Sequence, residues 1–182
     1  MPLTTERSTC PAALTSAVRS AIQAGGPAPD VAARVAEALS RHLPAPGQLL
    51  TAAQLAGDPA GYQTHPVHVE ADGSFSIAVM VWRAGQVTPI HDHVSWCVTG
   101  VLAGIEYEEI FTLSPDGGSL TAVTRRQNAP GTVAGFAPPG TGASLAPSPS
   151  PARPVGQPTS PWAIVLINRS DLPISVEQRL FR

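Results

Sequence analysis

Residues 88–96 read TPIHDHVSW, and two histidines separated by a single residue, His91 and His93, are the start of a metal site. On an extended chain successive side chains alternate faces, so both imidazoles point one way and Asp92 points the other. Neutral imidazole is the commonest protein ligand for transition metals. The chain holds five His in all (His42, His65, His68, His91, His93), none after His93, so any further ligand comes from elsewhere. Cys97 lies four residues beyond His93 with the parity of an inward residue. As a thiolate it would lower the site's charge and suit nickel or zinc beside iron; as an unligated residue it packs as a small hydrophobe. Glu106 and Glu108 share one face of a strand, with Tyr107 and Glu109 on the other. Carboxylates inside a barrel are costly unless paired or metal-bound, and EYEEIF reads instead as a solvated outer strand. His65 and His68, in YQTHPVHVE, could approach the pocket mouth as a ligand or proton shuttle. Two histidines, water and a bidentate substrate would also complete a coordination shell.

The elements that must hold these residues change character along the chain. Over 12–24 and 28–42 the apolar residues recur at helical spacing (Leu14, Val18, Ile22; Val31, Val35, Leu39), with GGPAP breaking the pattern between them. Two amphipathic helices follow, with Asp30 near the start of the second and PAPG at 44–47 ending it. A shorter helix is predicted over TAAQLAG, capped by Thr51. From Ser74 onward the stretches FSIAVMVW, CVTGVLAGIEYEEIFTL, SLTAVTRR, GTVAGF, WAIVLIN and ISVEQRLF are short, rich in β-branched and aromatic residues, and bounded by turn formers. With no helices between them, they predict an antiparallel sandwich or small barrel. The organisation expected is a helical segment, 1–60, packed on a β-barrel, 61–182. Within the barrel, 137–161 is so dense in Pro, Ser and Gly that a regular ladder is not expected there, leaving a long loop or lid.

Bulk properties remove several function classes. A composition that is 43% hydrophobic and 13% charged suits a globular domain, and a formal charge of −2 with no run of basic residues argues against a nucleic-acid partner. No stretch of about 18 apolar residues could span a membrane, and the first residues carry no secretory pattern, so a cytoplasmic protein is expected. Two cysteines, Cys10 and Cys97, are expected to remain free thiols.

The sequence has a more specific likeness. Gly85, five residues, His91, one residue, His93, three residues, Cys97, six residues, Gly104 is similar to the first motif of the cupin superfamily, with Cys97 where a metal-binding Glu is usual. VWRAGQVTPIHDHVSWCVTGVLAGIEYEE resembles the cysteine dioxygenase-type thiol dioxygenases. The resemblance implies a mainly β fold, the cupin double-stranded β-helix or jelly-roll barrel with N-terminal α-helices. It also implies iron(II) on three histidines, O2 as co-substrate, and a small thiol oxidised to a sulfinic acid. Three neutral ligands leave adjacent positions for a thiolate and dioxygen.

The chain departs from that pattern in three places. The position of the family's third His in GFAPPGTGASLAP, 135–147, is held by Ala143. A carboxylate-binding Arg two residues after Tyr62 is replaced by Thr64, which removes a bidentate clamp. A Ser-x-His-x-Tyr set on a late strand is matched by Ala163, Val165 and Ile167. Loss of such supporting groups points to altered chemistry. Arg83, Arg125, Arg126 and Arg153 are the candidates to replace the lost Arg. Trp82, Trp96, Tyr62 and Phe136 are expected to line the pocket, with Tyr62 beside the substrate's carboxylate.

The reading that follows has His91 and His93 as metal ligands and Cys97 and Tyr62 as candidate catalytic residues. Fe(II) is the metal expected first and Ni(II) second. The substrate is a small thiol such as L-cysteine, oxidised at sulfur, with further loss of carboxylate or amine left open, on a monomer or homodimer. Two alternatives stand beside it: another metal-dependent tailoring reaction of specialised metabolism on the same scaffold, and a cupin that binds without catalysis.

Overall fold

The computed structural model describes residues 10–91, 93, 95–137, 143–147 and 162–168. Helix α1 covers Ala12–Gln23 and α2 covers Ala28–Arg41, as their apolar periodicity predicts. Pro27 and Pro29 flank the start of α2, where the first amides need no helical partner, and Asp30 lies in its first turn. Two single-turn helices follow, α3 (Pro46–Leu49) and α4 (Ala52–Leu55). Thr51 caps α4 as expected: its Oγ1 accepts from the Gln54 amide at 3.3 Å, and the Gln54 side chain accepts the Thr51 amide at 2.9 Å. No helix among the described residues is long and apolar enough to cross a membrane.

Among the described residues, eight strands then form two antiparallel sheets. They are β1 (Gln63–Val69), β2 (Ser76–Trp82), β3 (Cys97–Ala103), β4 (Glu106–Leu113), β5 (Leu120–Asn128), β6 (Val133–Phe136), β7 (Ala143–Pro147) and β8 (Trp162–Asn168). One sheet has the order β1-β2-β8-β3-β6 and the other β5-β4-β7. Strand β3 pairs with β6 and β8, while β4 pairs with β5 and β7. Pairing of early strands with late ones in two facing sheets is the nested winding of a jelly roll. The fold is therefore mainly β, a jelly roll with helices at the N-terminal side. The long run CVTGVLAGIEYEEIFTL divides at Gly104, whose φ of +77° a side chain would oppose, and the chain there passes from one sheet to the other.

Two sequence expectations are corrected. Strand β7 lies inside the Pro-rich 137–161 stretch, where the proline density predicts no ladder; ASLA offers four consecutive amides, and Pro147 comes only at its end, opposite Glu108. Strand β1 escapes the sequence pattern because it carries Pro66, but it is an edge strand with a register shift between Pro66 and His68, where a missing amide is tolerated. The segment ISVEQRLF lies outside the described residues.

The helices and the larger sheet share one core. Leu14, Val18, Val31, Val35 and Leu39 cluster with Ile77, Val79, Val81, Val98 and Ile167. Alternation then assigns the other face of β2 and β3 to the interior between the sheets. There Trp82 and Val101 pack with Met80 and Tyr62.

Candidate metal-binding site

His91 and His93 lie in the connection between β2 and β3, which forms no continuous strand over its described residues. The described residues of this connection form no strand where the sequence predicts one, yet the two rings are brought together, with centroids 5.0 Å apart and planes at 57°. His91 Nδ1 lies 2.8 Å from the Pro89 carbonyl oxygen. A carbonyl only accepts, so Nδ1 donates and, in the neutral ring, Nε2 carries the lone pair. The contact fixes the ring's orientation and tautomer, as such bonds do for histidines in metal sites. The His93 ring stacks on Phe136, centroids 6.1 Å apart and planes at 15°. Phe136 is placed by β6, whose Gly135 turns to the opposite side against α2.

Cys97 lies in register with Phe136, so directly opposed side chains bring the thiol next to the ring that supports His93. It is 1% exposed, and burial pushes the thiol up to about 12, which keeps it protonated. Among the described residues, no group of three or more His, Cys, Asp or Glu side chains is gathered to hold a metal. The candidate donors that the described residues bring together here are the imidazoles of His91 and His93. That set fits a borderline divalent cation which takes its remaining ligands from small molecules.

Tyr62 stacks on Trp82, centroids 5.7 Å apart and planes at 25°, against Met80 and Val101 on the interior face. Burial raises the Tyr62 hydroxyl above its ordinary value, so it is a proton donor. Thr64 is in register with Met80 on the same side, where it offers no positive charge. Trp96, expected in the pocket, belongs instead to the core shared with the helices. Ile167 does too, so its position on β8 stands on the helix side rather than where an interior polar group would.

His65 and His68 are placed away from the His91–His93 pair. They are in register with Val79 and Ile77, whose side chains belong to the helix-side core. His65 Nδ1 meets Gln54 Nε2 of α4 at 3.5 Å. His68 Nε2 is 3.2 Å from Glu70 Oε2, which also accepts from Arg19 of α1 at 2.8 Å. The Arg19 guanidinium, with His68, holds the Glu70 carboxyl below the usual carboxylate range.

The acidic strand is also corrected. Glu108 and Glu109 are each 6% exposed rather than solvated. Arg126 lies 3.7 Å from Glu108, and Arg125 pairs with Glu109. Glu106 accepts from Asn128 Nδ2 at 2.9 Å, and burial, with Glu108 nearby, pushes it up to about 6. These pairings occupy Arg125 and Arg126, while Arg83 is exposed and packs on Gly57. Arg153 lies outside the described residues. The Pro89 carbonyl that anchors His91 carries no signal in the sequence, because a backbone group is invisible to residue type.

No protein-family model matches the chain. Its backbone is similar to that of TT1209 from Thermus thermophilus, at 16% identity and a TM-score of 0.45, over 66% of this chain and 95% of that one. The cupin 2 conserved barrel domain protein from Leptotrichia buccalis aligns at 13% identity and a TM-score of 0.43, over 65% of this chain and 46% of that one. The DMSP lyase DddQ from Ruegeria pomeroyi aligns at 19% identity and a TM-score of 0.42, over 69% of this chain and 57% of that one.

Proposed function

We propose that this chain is a metal-dependent oxygenase that holds Fe(II), or in second place Ni(II), on His91 and His93 and oxidises a small thiol such as L-cysteine at sulfur. The observation that carries this reading is the paired arrangement of the two rings, 5.0 Å apart, with His91 fixed through Nδ1 on the Pro89 carbonyl. When bound, the metal supplies a Lewis-acidic centre on which a thiolate and O2 can be held side by side. The thiol-oxygenase character rests on the resemblance of the 81–109 stretch to the thiol dioxygenases.

The chain's own residues then divide the remaining tasks. Phe136 walls the His93 ring, and Tyr62, Trp82, Met80 and Val101 form an apolar, aromatic side that excludes water. Cys97, kept as a neutral thiol by burial, does not compete with a substrate thiolate. With Thr64 in place of a guanidinium, a substrate carboxylate is not clamped, and the thiol's own second donor group does more of the orienting. That feature also favours the second reading, a different metal-dependent tailoring reaction.

Metal analysis and oxygen-electrode assays with L-cysteine, cysteamine and 3-mercaptopropionate separate these readings. Stoichiometric metal with thiol-dependent O2 uptake is expected. Metal without such uptake selects the second reading, and no metal under any loading condition leaves a binding module. The H91A/H93A variant is expected to lose metal entirely; normal loading in that variant excludes the assignment.

A further inference from the structure

We propose that the Thr88 hydroxyl is a ligand-binding group of the same site, donating a hydrogen bond to the anionic donor atom of the small molecule held beside the metal; this rests on the metal reading above. Thr88 is 5% exposed, and its Oγ1 is sealed from solvent with no hydrogen-bond partner among the described residues. Buried hydroxyls are almost always engaged, so an orphan of this kind marks where a partner from outside the fold belongs.

Local chemistry explains why the chain does not satisfy Oγ1 itself. The next residue is Pro89, which has no amide to donate and holds Thr88 away from helical backbone angles. The Pro89 carbonyl is already taken by His91 Nδ1 at 2.8 Å. Thr88 and the His91 anchor are thus consecutive residues, with Cα atoms about 3.8 Å apart. A buried imidazole nitrogen without a partner among the described residues, His65 Nε2, lies on the helix side of β1 and is not part of this neighbourhood. A hydroxyl that donates to an anionic atom makes a shorter and stronger bond than one between neutral groups.

Thr88→Val keeps the shape and removes the hydroxyl, while Thr88→Ser keeps it. Co(II), followed by its electronic spectrum, serves as the metal probe; azide and L-cysteine serve as anionic ligands. T88V is expected to bind Co(II) as the unaltered protein does and to bind azide and L-cysteine roughly ten-fold more weakly, a loss of about 1.4 kcal/mol. T88S is expected to stay within about two-fold. The metal-free T88V protein is expected to melt about 2–4 °C higher, because a hydroxyl with no partner has been removed. A lower melting point with unchanged ligand affinity would assign the hydroxyl to the fold, and unchanged affinity alone would assign it to water; either overturns the proposal. Should the unaltered protein bind no Co(II), the metal reading fails first and Thr88 falls with it.

Discussion

Glu106 is the titrating side chain whose environment has the clearest consequence. Burial, reinforced by Glu108, raises its carboxyl from an ordinary 4.5 to about 6 despite the hydrogen bond from Asn128. Between those two values the folded chain holds a proton that the unfolded chain has already released. Stability from this group is therefore intact below about pH 4.5 and declines as pH rises towards 6, staying reduced above it. Glu106→Gln keeps an oxygen for Asn128 and removes the charge. It is expected to be more stable than the unaltered protein at neutral pH by up to about 2 kcal/mol, with the advantage gone at about pH 4.5. Urea unfolding at a series of pH values checks this, and parallel curves for the two proteins would refute it. At this same scale the sequence reveals His91 and His93 by spacing alone. It could not reveal that Glu108 and Glu109 are buried, because their exposure is decided by Arg125, Arg126 and β7, all distant in the chain.

Elements are legible where their signals are local. Helices α1 and α2 follow from apolar periodicity, and the Thr51 cap from one side chain and one amide three residues on. Strands β1 and β7 are not, since each contains a proline and exists because a partner strand supplies the other half of its ladder. The sides taken by His65 and His68 depend on the register shift in β1, which nothing in YQTHPVHVE announces. The contact between α2 and β6 is similarly non-local and gives a sharp test. A Cβ added at Gly135 would lie 3.1 Å from the Ala32 carbonyl oxygen, against backbone that cannot swing aside as a side chain can. Gly135→Ala is expected to cost about 1–3 kcal/mol by pushing α2 off the sheet. Because Phe136 is the next residue and supports His93, metal affinity should fall together with the denaturation midpoint. A variant as stable as the unaltered protein would show that the α2 contact yields freely.

For the whole molecule, the decisive feature is that the helices and the larger sheet share one core. Leu14, Val18, Val35 and Leu39 are fully buried, and Val31 nearly so, against the outer face of the larger sheet. Each such side chain contributes about 1.5–3 kcal/mol by burial, so five together match the roughly 5–15 kcal/mol by which domains are stable. The sheet residues they cover, Ile77, Val79, Val81, Val98 and Ile167, would become a contiguous apolar surface if uncovered. Arg19 adds a polar tie from α1 to Glu70 at the end of β1. A variant lacking residues 1–41 is accordingly expected to bind a hydrophobic dye, aggregate, and lose its cooperative thermal transition. It should lose metal binding as well, although His91 and His93 remain in the chain, because β6 and β3 are held in place from the helix side. A cooperative melt in that variant, with metal still bound, would mean that the barrel is a self-sufficient domain and that the helices only decorate it.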